Sequence, residues 1–338
     1  RAAPTDTAQR TVSLTDHSHW QSDADLSIDL FTRQTMAFKI PEPQKTLAVT
    51  MTDGAVIRVR QHGRGKLRVL LSHGNGFAID AYFPFWGQLL ERFEIVVFDI
   101  RNHGRNPLHV LESHDHAHLV QDFETLYRRI PDAFGAKPTI GVFHSLAAIS
   151  ALLQNLQYGQ RWDALLVVDP SLTPPPGHPL YDRSYDFDFK LRDWALGRQD
   201  RFTSPGELAT TLKTNLRLNR WCEGSHELLA TSTLRQTGSH WELTCPGAYE
   251  SRIYSGNANL NIWHRLPSLS GPICCLGADP ALQGAWPPAF LNQAVHAELG
   301  LPYRCVAETT HLMQFERPAA VAAELMNFIE RAGITPVG

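Results

Sequence analysis

Six short runs govern what this chain can fold into: VLLSH (69–73), EIVVFD (94–99), TIGVF (139–143), ALLVVD (164–169), PICCL (272–276) and PYRCV (302–306). Each is almost wholly apolar, and helical patterns separate most of them. A strand that is apolar on both faces has no side for water, so it belongs in a parallel sheet covered by helices above and below. Ahead of them, LAVTM (47–51) and AVIRVR (55–60) flank Thr52-Asp53-Gly54, a turn signal that joins two β-rich runs as a hairpin. The expected class is α/β, with an antiparallel start leading into a parallel sheet.

The helices between the runs are legible. Residues 145–157 are rich in Ala and Leu nearly all round, the mark of a helix buried at the centre. Pro318 opens a segment whose Val321, Leu325, Phe328 and Ile329 share one face and which Gly333 terminates. Between Pro170 and about Leu266 the strand–helix alternation lapses into a stretch rich in Trp, Arg, Asp and Pro, with a helical pattern around 205–220. The expected organisation is an N-terminal arm over 1–44, a core built from 45–170 and 266–338, and an insertion over 171–265. There is no internal repeat, which removes solenoid and array folds.

Composition bounds the function classes. The chain has 338 residues, 43% of them hydrophobic and 19% charged, enough for a large core. Its 31 Lys and Arg against 34 Asp and Glu leave a net charge of −3, without the basic footprint of a nucleic-acid or acidic-membrane binder. No apolar run approaches the ~18 residues that cross a bilayer, so no transmembrane segment is expected. The cysteines (Cys222, Cys245, Cys274, Cys275 and Cys305) are odd in number, which argues against a disulfide framework. A cytoplasmic location is favoured; secretion stays open if a leader preceded Arg1.

In chain order, LLSHGNGF (70–77), VVFDIRNHGRN (96–106), GVFHSLAA (141–148) and ETTHLMQFERP (308–318) resemble the α/β-hydrolase family, with a likeness spanning residues 45–333. The resemblance implies a mostly parallel eight-stranded sheet flanked by helices, with a helical cap inserted after the sixth strand. It also implies a serine hydrolase, most simply a carboxylic ester hydrolase. Such an enzyme would cleave an ester, lactone or amide of a small-to-medium apolar substrate through an acyl-enzyme, with no cofactor, as a monomer or homodimer. The same fold hosts carbon–carbon bond hydrolases, lyases and catalytically silent binding proteins, and motifs alone do not separate these.

Residue by residue, the likeness makes Ser145 the nucleophile, on a sharp turn between strand and helix. Phe143 stands where the family keeps a small residue two places before the serine. His311, just ahead of the final helix, is the implied base. Asp279, after the strand at 273–276, is the chosen acid, with Asp169 at the end of the preceding strand as the alternative. Backbone amides of Asn75 and Leu146 are the implied oxyanion hole, and His73 anchors the Asn75 loop. The loop over 99–104 is read as scaffold.

Phe77, His144, Trp194 and Trp221 are expected to line the substrate pocket. Trp241, Trp263, Tyr82, Phe83, Phe85 and Trp86 are further candidates. His114, His116 and His118 alternate as a metal cluster would on a strand. The helical pattern that follows them instead makes this a helix start, and no metal is expected.

Overall fold

Residues 38–334 are described by the computed structural model. The expected N-terminal arm therefore lies largely outside the described residues.

The chain opens with β1 (Lys45–Thr50) and β2 (Val56–His62), the expected hairpin, closed by a turn in which Gly54 takes a φ of 91°. Then follow β3 (Arg68–Ser72), the short helix α1 (Phe83–Trp86), β4 (Glu94–Phe98), α2 (His116–Phe134), β5 (Thr139–His144), α3 (Leu146–Tyr158) and β6 (Ala164–Val168). After an intervening insertion the core resumes with β10 (Ile273–Gly277), α8 (Pro287–Leu299), β11 (Tyr303–Cys305), the single-turn α9 (Met313–Glu316) and α10 (Pro318–Arg331).

The strands form one eight-stranded sheet in the order β1-β2-β4-β3-β5-β6-β10-β11. Only β2 runs antiparallel to both its neighbours; from β4 to β11 every pairing is parallel. Every residue of β3, β4, β5, β6 and β10 is buried, as strands covered on both faces must be. One face packs on α2 and α3 through Leu119, Phe123 and Leu152; the other packs on α1 and α10 through Trp86, Val321 and Leu325. The edge strands are more exposed, and β11 is only three residues long, which limits unwanted pairing.

The segment between β6 and β10 is mostly helical, and it also carries a small sheet that the sequence pattern does not anticipate. It contains α4 (Tyr181–Gly197), α5 (Pro205–Thr214), α6 (Ser225–Thr233) and α7 (Gly247–Asn257), together with a small antiparallel sheet. That sheet comprises β7 (Arg201–Phe202), β8 (Leu234–Thr237) and β9 (His240–Leu243) in the order β7-β9-β8. Thr237 pairs with His240 across Gly238-Ser239, with Gly238 at a φ of 61°, so this is a two-residue hairpin. The helix begun at Pro205 ends at Thr214, leaving residues 215–220 as a loop.

Candidate active site

The site is built where β3, β5 and β6 end. Ser145 lies between β5 and α3 at φ 51° and ψ −110°, a conformation that costs a non-glycine residue about 1–3 kcal/mol. Its N–H is fixed to Val168 O at 2.9 Å, so the turn is tied to the neighbouring strand. Phe143 does not obstruct this turn. Its ring folds back over Gly141, where a Cβ would lie 2.6 Å from Phe143 Cε2, and it packs edge-on against Phe98, Phe123 and Trp162. The small residue that the turn needs has moved two places upstream.

Ser145 and His311 come together: His311 Nε2 is 3.1 Å from Ser145 Oγ. Behind the imidazole, Nδ1 is 2.7 Å from Asp169 Oδ2. Asp169 is fully buried, and its other oxygen accepts from Ala278 N–H (3.1 Å) and Asn292 Nδ2 (2.9 Å). The structure thus places Asp169, the alternative acid, beside the imidazole, and Asp279, the chosen one, elsewhere. Its carboxylate accepts from the N–H groups of Ala281 and Glu308, closing a loop, and does not reach the imidazole. The chain turns at Asp169 with a φ of 44°, which brings the carboxylate at the end of β6 under the His311 ring.

The loop at 74–77 approaches the serine closely. A Cβ on Gly74 would stand 3.0 Å from His144 Nδ1 and 3.2 Å from Ser145 Cβ, so glycine gives the loop its close approach. Within this loop Gly74 N–H donates to Tyr82 Oη (3.1 Å), Gly76 N–H to His103 Nε2 (3.0 Å) and Phe77 N–H to Gly74 O (3.2 Å). The Asn75 N–H alone among the four has no protein acceptor among the described residues. Leu146 N–H, first in α3, is likewise left without an intrahelical partner.

Three neutral imidazoles hold this loop. His73 donates from Nδ1 to Gly74 O and accepts Ile100 N–H at Nε2; burial lowers its pKa to about 4. His103 donates to Arg101 O while accepting from Gly76, and burial lowers it to about 3. His144 donates from Nε2 to His311 O (2.9 Å), because a carbonyl can only accept, so Nδ1 accepts from the Tyr82 hydroxyl (2.7 Å). Burial holds His144 well below the ordinary imidazole range.

A cavity of about 1140 Å³ opens over Ser145 and His311. Phe77, His144, Trp194 and Trp221 all line it, and Phe187 and Trp286 join them. Trp241 packs instead within the insertion against Phe202 and Leu208, and Trp263 within the core against His178. Tyr82, Phe83, Phe85 and Trp86 also sit in core packing behind the loop.

The insertion supplies polar residues that the sequence did not flag. A Cβ on Gly247 would stand 2.0 Å from Ala195 O, so α7 crosses tightly under the end of α4 and sets Glu250 beside Arg198. Buried Glu250 pairs with Arg198 and accepts from Tyr254 Oη (3.2 Å), while its main-chain carbonyl accepts from Asn75 Nδ2 (2.9 Å). Asp188 on α4 accepts from Asn257 Nδ2 (3.0 Å), and burial raises its pKa to about 7. No sequence motif marks these residues, because their partners lie in distant segments.

The alternating histidines separate. His114 meets Asn102, His116 meets Asn257, and His118 meets Asp115, which caps α2. His103, His114 and Cys245 place ligand atoms within 4.8 Å of one another, but both nitrogens of His103 are already engaged, by Arg101 and Gly76.

The alpha/beta hydrolase family model matches residues 69–324, most of the chain. The chain belongs to the alpha/beta hydrolase family. No relative among the curated proteins matches its sequence. Among solved structures, it is similar to E-2-(acetamidomethylene)succinate hydrolase, with a TM-score of 0.68 and 18% identity over 85% of this chain and 99% of that one. A thioesterase domain from the curacin biosynthetic pathway gives a TM-score of 0.64 and 17% identity over 83% and 98% of the two chains. An N-formylmaleamic acid deformylase from Pseudomonas putida S16 gives 0.61 and 18% over 84% and 100%. At such identities the likeness is one of fold. No helix among the described residues is long and apolar enough to cross a membrane.

Proposed function

We propose that this hydrolase-family protein is a serine hydrolase that cleaves an ester, lactone or amide of a small-to-medium substrate with an apolar body. The observation that carries the reading is the continuous chain Ser145 Oγ–His311 Nε2–His311 Nδ1–Asp169 Oδ2, with links of 3.1 and 2.7 Å. A serine hydroxyl is a weak nucleophile until a base takes its proton, and the base needs a fixed tautomer. Asp169, accepting from Nδ1–H, leaves the Nε2 lone pair facing Ser145.

Ser145 Oγ then bonds to the carbonyl carbon as its proton passes to His311. The tetrahedral oxyanion sits between the N–H groups of Asn75 and Leu146, both free to donate, at the positive end of α3. His311 returns the proton to the departing alcohol or amine. Water repeats the cycle, freeing the acid and the serine. The aromatic walls of the cavity suit an apolar acyl body. The hydrolase and thioesterase names among the structural neighbours agree with acyl transfer.

A fluorophosphonate tests this reading: Ser145 Oγ forms a bond to phosphorus as fluoride leaves. Intact-protein mass spectrometry should find one adduct per chain, on the peptide containing Ser145, and none in Ser145→Ala. A wild-type protein that stays unlabelled refutes the assignment.

A further inference from the structure

The wall of the cavity formed by the insertion is cationic, although the whole chain carries a net charge of −3. Helix α4 turns Phe187, Lys190, Leu191 and Trp194 toward the cavity at helical spacing, and Arg198 follows just past its end. Arg217 and Arg220 line it from the loop after α5. Against these four cations stand only two lining carboxylates among the described residues, Asp188 and Glu250. Asp188 is fully buried and engaged by Asn257 and Thr173. Lys190 and Arg217 have no anionic partner among the described residues, and Arg220 reaches only Glu308 O and, at 3.7 Å, Glu316.

Arg198 is the cation best placed to read a substrate. One nitrogen, Nη1, is held by buried Glu250, and Trp194 lies against the guanidinium at 5.2 Å, so the group is oriented before anything binds. Its Nε and Nη2 have no protein acceptor among the described residues. A Cβ on Gly76 would stand 2.5 Å from Glu250 Oε1, so the ion pair rests directly on the oxyanion-hole loop. An oriented guanidinium with spare donors is the group that binds a carboxylate in two-pronged fashion.

We propose that Arg198 anchors a carboxylate carried on the acyl half of the substrate, so that the natural substrate is a monoester or monoamide of a dicarboxylic acid. The proposal rests on Ser145 acting as the acyl nucleophile. The apolar walls then hold the methylene body between the two carbonyl ends, and the lining cations draw the anion in.

Two esters of equal chain length separate the possibilities: mono-4-nitrophenyl glutarate, which bears a carboxylate, and 4-nitrophenyl pentanoate, which does not. Wild-type protein should favour the glutarate in kcat/KM by about tenfold to a hundredfold, the worth of a charged hydrogen-bonded contact. In Arg198→Gln that ratio should collapse toward one, mainly through KM, and Arg198→Lys should restore part of it. Because Arg198→Gln strands the buried Glu250 carboxylate, the double variant Arg198→Gln/Glu250→Gln removes both charges and should lose the same ratio.

Calorimetry of glutarate with Ser145→Ala needs no turnover and should give binding that Arg198→Gln weakens by a similar factor. If neither ester is cleaved but glutarate binding depends on Arg198, the anchor stands and the hydrolase reading fails. A wild-type ratio near one, or a ratio and a glutarate affinity unchanged in Arg198→Gln, overturns the anchor while leaving Ser145 as it is.

Discussion

Replacing Asp169 by Asn tests the geometry of the site most directly. In the native site Oδ1 accepts from two donors, Ala278 N–H and Asn292 Nδ2, while Oδ2 faces His311 Nδ1. An asparagine has one acceptor oxygen, and the two donors will claim it. Its NH2 must then point at Nδ1. That nitrogen can only accept from an amide, so the imidazole proton moves to Nε2, where it faces Ser145 and blocks proton uptake. The fold is expected to persist, because the replacement is isosteric and the two Oδ1 bonds survive.

The cost is the wrong tautomer plus the loss of the charge that stabilises the imidazolium, a fall of about 10³- to 10⁴-fold in kcat, or about 4–5.5 kcal/mol in activation free energy. Asp279→Asn touches only the Ala281–Glu308 loop closure and should stay within about twofold. Turnover of a 4-nitrophenyl ester and the rate constant for fluorophosphonate labelling both read the effect. Asp169→Asn within tenfold of wild type, or Asp279→Asn showing the larger loss, would refute the reasoning.

Acid should unfold the protein earlier than its carboxylates alone would require. Burial lowers His62, His73 and His116 to about 4 and His103 to about 3, whereas an unfolded imidazole titrates near 6.5. The unfolded chain therefore binds more protons in this interval. The stability contributed is complete above pH 6.5 and is lost as pH falls through about 4, at about 3 kcal/mol for each of His62, His73 and His116 and about 5 kcal/mol for His103, together comparable to a typical net stability. Far-ultraviolet circular dichroism should report a midpoint above about pH 4, and an intact fold below about pH 3 contradicts this account. At the elbow, Gly141→Ala drives a Cβ into Phe143 and should cost about 1–3 kcal/mol. Phe143→Leu in the same chain should recover part of that loss in denaturant titrations, and strictly additive effects would show that the ring does not depend on the glycine.

How far the sequence discloses this molecule depends on the range of each signal. Runs buried on both faces declare themselves locally, so the strands, their order of appearance and the parallel class are legible in residues such as 69–72 and 164–168. Ser145 and His311 are picked out by the family resemblance, because each sits in a strand–helix junction whose residues match the family's motifs. The acid was harder: both Asp169 and Asp279 follow apolar strands and precede a proline. What decides between them, the Asp169 φ of 44° and the reach of His311, is set by the packing of β6 against β10. Phe143 looks like a defect until Gly141 is seen beneath its ring. The hairpin at Gly238-Ser239 lies in a stretch for which the resemblance implies a helical cap, and its two-residue turn is a local signal too short to outweigh that expectation. Arg198, Glu250 and Asp188 carry no local signal at all, since the crossing of α4 and α7 creates their environment.

In the proposed arrangement the carboxylate beside the imidazole comes from the end of β6, so the segment following β10 supplies no member of the Ser145–His311–Asp169 chain, although its Ala278 N–H holds Asp169 and its Trp286 ring stacks on His311. Leu282, Gln283, Ala285 and Trp286 of that segment nevertheless border the chamber above the serine. Randomising Leu282, Gln283 and Ala285 in a library while keeping Trp286 should yield variants with altered chain-length or shape preference at undiminished turnover.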